Sequence, residues 1–100
     1  MSKPQHEIAI ALVRRDDRWL VARRRRDKHM GGLWEFPGGK RLPDETAAQA
    51  ALRELREECG VCAAAQGVLE AVTWEYADRT VHITPVMCRW EAGSFAADGL

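Results

Sequence analysis

The sequence predicts a mixed α/β domain in which one helix packs against a sheet. Two strand-like apolar segments come first, one strongly helical segment follows a glycine-rich loop, and two more strand-like segments come after the helix. A chain of 100 residues predicts a single domain, residues 1–100. Because 46% of the residues are hydrophobic and 30% are charged, the composition supports a buried core and argues against disorder.

The first half of the chain predicts a hairpin followed by a long loop. Residues 8–13 form a nearly continuous apolar run, which is typical of a strand covered on both faces. Residues 19–22 predict the returning strand, and residues 23–30 a charged loop. Residues 31–40 hold four glycines and a proline around two aromatics, so we expect a loop there with a short extended piece at 34–36.

Residues 46–59 predict the helix. Thr46 and Gln49 fit a capping box, the segment is rich in alanine and leucine, and Gly60 supplies a stop. After it, residues 68–76 and 81–90 predict two strands around a turn. Pro85 lies inside the second of these and indicates an edge strand or a bulge.

On a helical wheel the segment has one apolar stripe and one acidic flank. The stripe predicted to dock on the sheet consists of Ala48, Ala51, Leu52, Leu55 and Cys59. Arg53 and Arg56 fall on one flank, whereas Glu54, Glu57 and Glu58 fall on the other at spacings i, i+3 and i+4. We expect no partner within the helix inside the arc of these three carboxylates.

Two interpretations of the acidic flank remain open from spacing alone. Clustered carboxylates can share a hard divalent cation such as Mg²⁺, which prefers oxygen ligands. A solvated acidic face is the plain alternative. Gly38 and Gly39 precede the helix and can bring a backbone carbonyl or amide close to a metal or a phosphate, which favours the first interpretation.

The same residues resemble a known family pattern. Gly39, Glu45, Arg53-Glu54-Leu55, Glu57-Glu58 and Gly60-Val61 stand at the spacings of the complete Nudix box. Residues 32–40 are similar to the segment that leads into this box in MutT-type enzymes. The resemblance implies a Nudix-type α/β/α sandwich with a mixed sheet, and relative to that pattern the final strand and helix are missing after Leu100.

The resemblance also implies an activity. MutT-like members hydrolyse a nucleoside triphosphate to the monophosphate and pyrophosphate with Mg²⁺ or Mn²⁺, and some prefer oxidised guanine nucleotides such as 8-oxo-dGTP, a DNA-repair role. Within the family, CTP or a dinucleoside polyphosphate is an alternative substrate. A non-hydrolytic module that binds a nucleotide or a damaged base is the alternative of another class. The three intact carboxylates argue against a pure binder.

Residue roles follow from the resemblance position by position. Metal ligands would be Glu54, Glu57 and Glu58 with the Gly38 carbonyl, and the catalytic set would be these three glutamates with Asp98. Either Glu54 or Glu57 is a candidate proton acceptor, and Asp98 is the only acid in the tail. Gly39, Glu45, Arg53 and Gly60 would be structural. Contacts to the nucleotide would come from Arg24, His29, Glu35, Phe36, Pro37, Gly38 and Asp78.

Charge and cysteine usage limit the partners and the compartment. Fifteen Lys and Arg balance fifteen Asp and Glu, which argues against a protein that holds duplex nucleic acid by bulk charge alone. The nucleoside triphosphate partner is what the resemblance implies. No apolar run approaches 18 residues, so no membrane partner is expected. Three cysteines do not resemble a disulfide framework and favour the reducing cytoplasm. The oligomeric state is not predicted by the sequence.

Overall fold

The computed structural model describes residues 3–23 and 32–93. Its elements, in chain order, are β1 (Gln5–Arg15), β2 (Arg18–Trp19), β3 (Ala22–Arg23), β4 (Trp34–Glu35), β5 (Gly38–Lys40), α1 (Ala47–Cys59), β6 (Cys62–Val68), β7 (Val72–Glu75) and β8 (Thr80–Ala92). The predicted mixed α/β class is confirmed. Within the described residues α1 is the single helix, and it supplies one helical layer on the sheet.

Two long strands form the centre of the main sheet. β1 and β8 pair in parallel, with Gln5 opposite Thr80 at one end and Arg14 opposite Arg89 at the other. On the far side of β1 lie β2 and β5, and on the far side of β8 lie β6 and β7, all antiparallel to the central strand they join. β3 and β4 pair separately as a small second sheet.

The core lies between α1 and one face of this sheet, which we call the helix-covered face. Ala9, Ala11 and Val13 of β1 are fully buried there, together with Val86 and Cys88 of β8. The alternating residues of β1 point to the opposite face and are only partly buried. The prediction of a strand covered on both faces is therefore confirmed for one face of β1 and holds only in part for the other, whose residues are partly buried.

The helix has the predicted ends. The Thr46 side chain accepts a hydrogen bond from the Gln49 amide while the Gln49 side chain accepts from the Thr46 amide, which is the expected capping box. Gly60 ends the helix with φ of 66°, a left-handed conformation that glycine adopts without strain. Ala51 and Leu55 of the predicted stripe are fully buried. Ala50, predicted outside the stripe, is buried as well, so the buried arc extends toward the acidic flank.

Three strand predictions need correction. The returning strand at 19–22 is split, because β2 pairs with β1 only at Arg18 and Trp19 and the chain then leaves for β3. Residues 38–40, predicted as loop, form β5 against β1. Residues 62–68 form β6, most of which the sequence did not predict, because its alanines and its glycine give no strand pattern.

Pro85 lies in the central strand, so the edge-strand prediction is wrong. The Leu69 amide donates to the Pro85 carbonyl over 2.9 Å, which shows that Pro85 faces the junction between β6 and β7. Register shifts occur in β6 at Cys62/Ala63 and Ala65/Gly67, away from the proline. Pro85 is level with Ile10 of β1, but on the other side of β8 the pairing with β6 ends at Val86 and the pairing with β7 begins at Ile83. The central strand tolerates the missing N–H at this gap.

Candidate active site

The site begins where β5 passes under α1. An added Cβ on Gly39 would lie 2.6 Å from Cδ of Glu54, so the glycine leaves room for the Glu54 carboxylate. An added Cβ on Gly38 would lie 2.9 Å from Cγ2 of Ile10 on the other face of the strand. We call Gly38 and Gly39 the diglycine. Gly38 lacks a side chain so that Ile10 can pack against it, and Gly39 lacks one so that the Glu54 carboxylate of the helix has room.

Glu58 reaches the same strand one position earlier. The Gly38 amide donates to Oε2 of Glu58 over 3.1 Å. Although the residue as a whole is exposed, its carboxyl group is partly removed from water. This desolvation, together with the nearby negative charges of Glu54 and Glu35, raises the pKa of Glu58 to about 7, and the hydrogen bond from Gly38 only partly opposes the shift.

Arg53 of the helix contacts Glu45 and the backbone of β5. Its Nε and Nη2 donate to the two carboxylate oxygens of Glu45 over 2.6 and 3.1 Å. Nη2 also donates to the Lys40 carbonyl over 3.0 Å, and the Leu42 amide donates to Glu45 over 2.9 Å. We call Arg53, Glu45 and the Lys40 carbonyl the arginine clamp. It ties the helix to β5 and to the loop that follows β5.

The clamp shifts the ionisation of its own members. The hydrogen bond from Arg53, followed by that from the Leu42 amide, lowers the pKa of Glu45. The Glu45 carboxylate in turn raises the pKa of Arg53. Both groups therefore stay charged over the ordinary pH range.

Arg53 also contacts the acidic flank, which corrects one expectation. Its Nη1 lies 3.0 Å from Oε1 of Glu57 and 3.3 Å from Oε2 of Glu54. The Arg53 side chain is long enough to carry its guanidinium from its own flank of the helix to the acidic flank. The expectation that the acidic flank has no partner within the helix is therefore wrong. Within the described residues no group of three or more His, Cys, Asp or Glu side chains is arranged to hold a metal ion.

The carboxylates of Glu54 and Glu58 nevertheless fit a hard divalent cation. Glu54 and Glu58 both reach the diglycine of β5, and their like charges oppose each other. A cation between such carboxylates would offset their repulsion, which adds to the desolvation that is the main cause of the raised pKa of Glu58. Mg²⁺ is commonly held by one or two carboxylates plus water and substrate phosphates, so two oxygens of this kind are sufficient.

The structure places the other candidate residues in several locations. Glu35 in β4 is exposed and its charge acts on Glu58, a proximity that spacing alone did not reveal. Phe36 is 38% exposed next to it, whereas Pro37 is buried and its carbonyl accepts a hydrogen bond from Ala11. Asp78 lies in the turn before β8 and pairs with Arg79 over 3.2 Å, on the opposite side of the central strands from β5. Arg24, His29 and Asp98 lie outside the described residues.

Fold and site together define one class of protein. It is an α/β domain in which helix carboxylates face a diglycine strand and an arginine clamp fixes the helix on that strand. Residues 8–99 match the NUDIX domain family, which is 92 of the 100 residues. The chain belongs to the Nudix hydrolase family, and the MutT-like resemblance is confirmed by its relatives.

Two curated relatives and one solved structure illustrate the similarity. The chain is 42% identical over 82 residues to the 8-oxo-dGTP diphosphatase of Proteus vulgaris, covering 82% of this chain and 71% of the relative. It is 40% identical over 77 residues to the CTP pyrophosphohydrolase of Escherichia coli K12, covering 77% and 57%. The solution structure of the E. coli ORF135 protein superposes with a TM-score of 0.79 at 32% identity, covering 98% and 71%.

The aligned part of the chain thus spans between about half and three quarters of the length of these relatives. Among the described residues no helix has the length and apolar character needed to cross a membrane.

Proposed function

We propose that this protein is a Mg²⁺-dependent nucleoside triphosphate pyrophosphohydrolase of the MutT type. It converts a nucleoside triphosphate and water to the monophosphate and pyrophosphate, and oxidised guanine nucleotides such as 8-oxo-dGTP are the first candidates, which suits a DNA-repair role. The observation that carries the proposal is the convergence of Glu54 and Glu58 on the diglycine of β5. The free thiols of Cys59, Cys62 and Cys88 suit the reducing cytoplasm, where such substrates occur.

We assign the residues of the site to metal binding, to proton acceptance and to positioning of the helix. We assign Glu54, Glu57 and Glu58, with the Gly38 carbonyl, to the ion. When bound, Mg²⁺ would neutralise phosphate oxygens and make water a better nucleophile. Glu54 or Glu57 would accept the proton of the attacking water. The arginine clamp keeps the helix carboxylates in position over β5.

The nucleotide end of the substrate is assigned to residues around β4 and to two loops. Glu35 lies close enough to Glu58 for its charge to act on that carboxyl, and the partly exposed ring of Phe36 follows Glu35 in the chain. An exposed aromatic ring offers a surface on which a base can stack. The remaining assigned contacts are Arg24, His29, Pro37 and Asp78, and Asp98 is assigned to catalysis.

CTP is the second candidate substrate. A relative that matches 77% of this chain at 40% identity carries the name CTP pyrophosphohydrolase. Both candidates require the same carboxylates and differ in the base and in the 2′-hydroxyl of the sugar. A dinucleoside polyphosphate would require them as well.

The test is release of pyrophosphate from a panel of 8-oxo-dGTP, dGTP, CTP and a dinucleoside tetraphosphate, with and without Mg²⁺. We expect turnover that needs the metal and falls about a hundredfold or more in Glu54→Gln. Glu70→Gln makes the same chemical change at an exposed site between β6 and β7 and should be harmless. Saturable nucleotide binding without turnover would replace the proposal by a non-hydrolytic binding module.

A further inference from the structure

The small sheet of β3 and β4, which we call the ribbon, is attached to β1 at both ends. Before β3, the buried Leu20 donates its amide to the Val13 carbonyl over 3.0 Å. After β4, the buried Pro37 accepts a hydrogen bond on its carbonyl from the Ala11 amide over 2.8 Å. The ribbon therefore lies in the chain between two anchors on the same central strand.

The backbone ladder of the ribbon is very short. Ala22 lies opposite Glu35, and Arg23 lies opposite Trp34. A pair of strands joined over so few residues is marginally stable by itself. Contacts between side chains therefore matter more for the ribbon than for the main sheet.

Arg23 contacts the chain on the β4 side through its guanidinium. The guanidinium carbon lies 5.1 Å from the centre of the Trp34 ring, within the range of a cation–π interaction, and Nε donates to the Gly32 carbonyl over 3.1 Å. We call Arg23, Trp34 and the Gly32 carbonyl the ribbon clasp. Trp34 is 50% exposed and is not part of the core, so the clasp acts on the ribbon rather than on the core of the domain.

The ribbon clasp and Glu35 lie on opposite faces of the ribbon. Residues directly opposite each other in an antiparallel pair share a face, and neighbours along a strand alternate between faces. Arg23 and Trp34 therefore share one face, and Ala22 and Glu35 share the other. Glu35 lies close enough to Glu58 for its charge to act on that carboxyl. The clasp thus supports the ribbon from the face opposite the one that carries Glu35.

We propose that Arg23 is a positioning residue for nucleotide binding, because through Trp34 and the Gly32 carbonyl it holds the ribbon with Glu35 beside the helix carboxylates. The inference rests on the proposed function, in which Glu35 contacts the nucleotide. Arg23 acts through the ribbon and leaves the contacts of α1 with the diglycine unchanged. Its loss should therefore weaken nucleotide binding and have little effect on the rate of the chemical step.

The experiment is steady-state pyrophosphate release on the nucleotide that the wild type hydrolyses fastest. We expect Arg23→Ala to raise KM by about tenfold and to change kcat by less than about twofold. Arg23→Lys keeps a cation near the ring but lacks the planar guanidinium, so it should recover part of the loss. Arg15→Ala is the matched control, because Arg15 lies over the Trp90 ring at 4.0 Å at the end of β1, outside the ribbon.

A double substitution distinguishes positioning of Glu35 from a general loss of structure. If Arg23 acts through Glu35, Arg23→Ala combined with Glu35→Gln should raise KM no further than Glu35→Gln alone. Effects of the two substitutions that multiply overturn the proposal. A fall in kcat with KM unchanged overturns it as well, because that result would mean disturbed carboxylates rather than a displaced ribbon.

Trp34→Leu tests the ribbon clasp from the other strand and should raise KM in the same way. Far-UV circular dichroism verifies that each variant is folded. An Arg23→Ala chain that does not fold overturns the proposal, because the clasp would then support the core. Wild-type KM in folded Arg23→Ala, or an equal rise of KM in Arg15→Ala, overturns it too.

Calorimetric binding of non-hydrolysable analogues of dGTP and CTP gives the same comparison without turnover. A wild type that binds an analogue but hydrolyses no nucleotide overturns the proposed reaction, and the affinities of the variants still test the role of Arg23. A wild type that neither binds nor hydrolyses a nucleotide overturns both. Equal affinity in an active wild type and Arg23→Ala overturns this inference alone.

Discussion

Glu45 and Glu58 lie about thirteen residues apart in the chain, and their environments shift their pKa values in opposite directions. Glu45 is matched by Arg53 at 2.6 Å, and its pKa is lowered. Glu58 faces Glu54 and Glu35 across partly desolvated space, and its pKa is raised to about 7. The Glu45–Arg53 pair holds the helix on β5, whereas Glu58, with two other carboxylates near it, is a group that the proposed function assigns to a cation.

The largest expected effect is on turnover, and it distinguishes a substitution of Glu58 from one of Glu45. Glu58→Gln should reduce Mg²⁺-dependent turnover by about a hundredfold without lowering the melting temperature, because it removes a ligand and also removes like-charge repulsion. Glu45→Gln should lower the melting temperature. Steady-state pyrophosphate release and thermal unfolding measure the two effects. A Glu58→Gln enzyme with wild-type turnover would contradict the assignment of the uncompensated carboxylate.

The next effect concerns the arginine clamp. Arg53→Ala leaves Glu45 without its ion pair and the Lys40 carbonyl without its donor, and should lower the melting temperature by about 5 °C. Arg56→Ala is the control, because Arg56 is exposed on the same helix. Arg53→Lys should recover only part of the loss, since an ammonium cannot make the forked contact. Equal melting temperatures for Arg53→Ala and Arg56→Ala would remove the structural role of the clamp.

Gly39 and Gly60 are required for different reasons. Gly39 leaves room for a carboxylate, whereas Gly60 adopts a left-handed backbone conformation. Gly39→Ala places a methyl against Glu54 and should reduce turnover about tenfold with little loss of stability, because the displaced group ends a flexible side chain. Gly60→Ala meets nothing within 4 Å but keeps a left-handed φ, and should cost about 1 kcal/mol in the free energy of unfolding while turnover persists. If folded Gly60→Ala loses as much turnover as Gly39→Ala, the role given to Gly39 is wrong.

The smallest expected effect is that Glu45 and Glu58 contribute to the stability of the fold with opposite pH dependences. Glu45 has a lowered folded-state pKa, so its stabilisation is present above pH 4.5 and is lost as the pH falls through the folded value. The folded-state pKa of Glu58 is raised, so its carboxylate destabilises the fold progressively as the pH rises from 4.5 to about 7.

Melting temperatures between pH 3 and pH 8 in metal-free buffer measure this pair. Glu45→Gln should lose stability relative to wild type only at the higher pH values, by a few degrees. Glu58→Gln should gain stability relative to wild type over the same range. The same sign of change in both variants would mean that their environments do not differ as described.

The helix was predictable because every signal for it is local. Thr46, Gln49 and Gly60 act on backbone groups within a turn of themselves, and the spacing of Glu54, Glu57 and Glu58 fixes their side of the helix. The mixed α/β class followed from the order of such segments. Membership of the family followed from residues 39–61, where the pattern depends on sequence spacing alone.

The parts that were not predictable depend on contacts distant in sequence. β5 is a strand because Gly38 and Gly39 pair with β1, which lies about thirty residues earlier, and its own glycines indicate only a loop. Pro85 lies in a central strand because β1 pairs with one side of β8 and β6 and β7 with the other, and the gap between β6 and β7 beside the proline is something that no local pattern indicates. The reach of Arg53 across the helix depends on side-chain length and on the position of Lys40.

The most direct test of the central claim is calorimetric titration of Mg²⁺, repeated with Mn²⁺, into the wild type, Glu58→Gln and Glu70→Gln. If the carboxylates on the diglycine strand bind the cation, wild type and Glu70→Gln bind with equal affinity and Glu58→Gln binds at least about tenfold more weakly. Equal affinity in all three proteins, or no binding to the folded wild type even with a non-hydrolysable nucleotide present, would contradict the account.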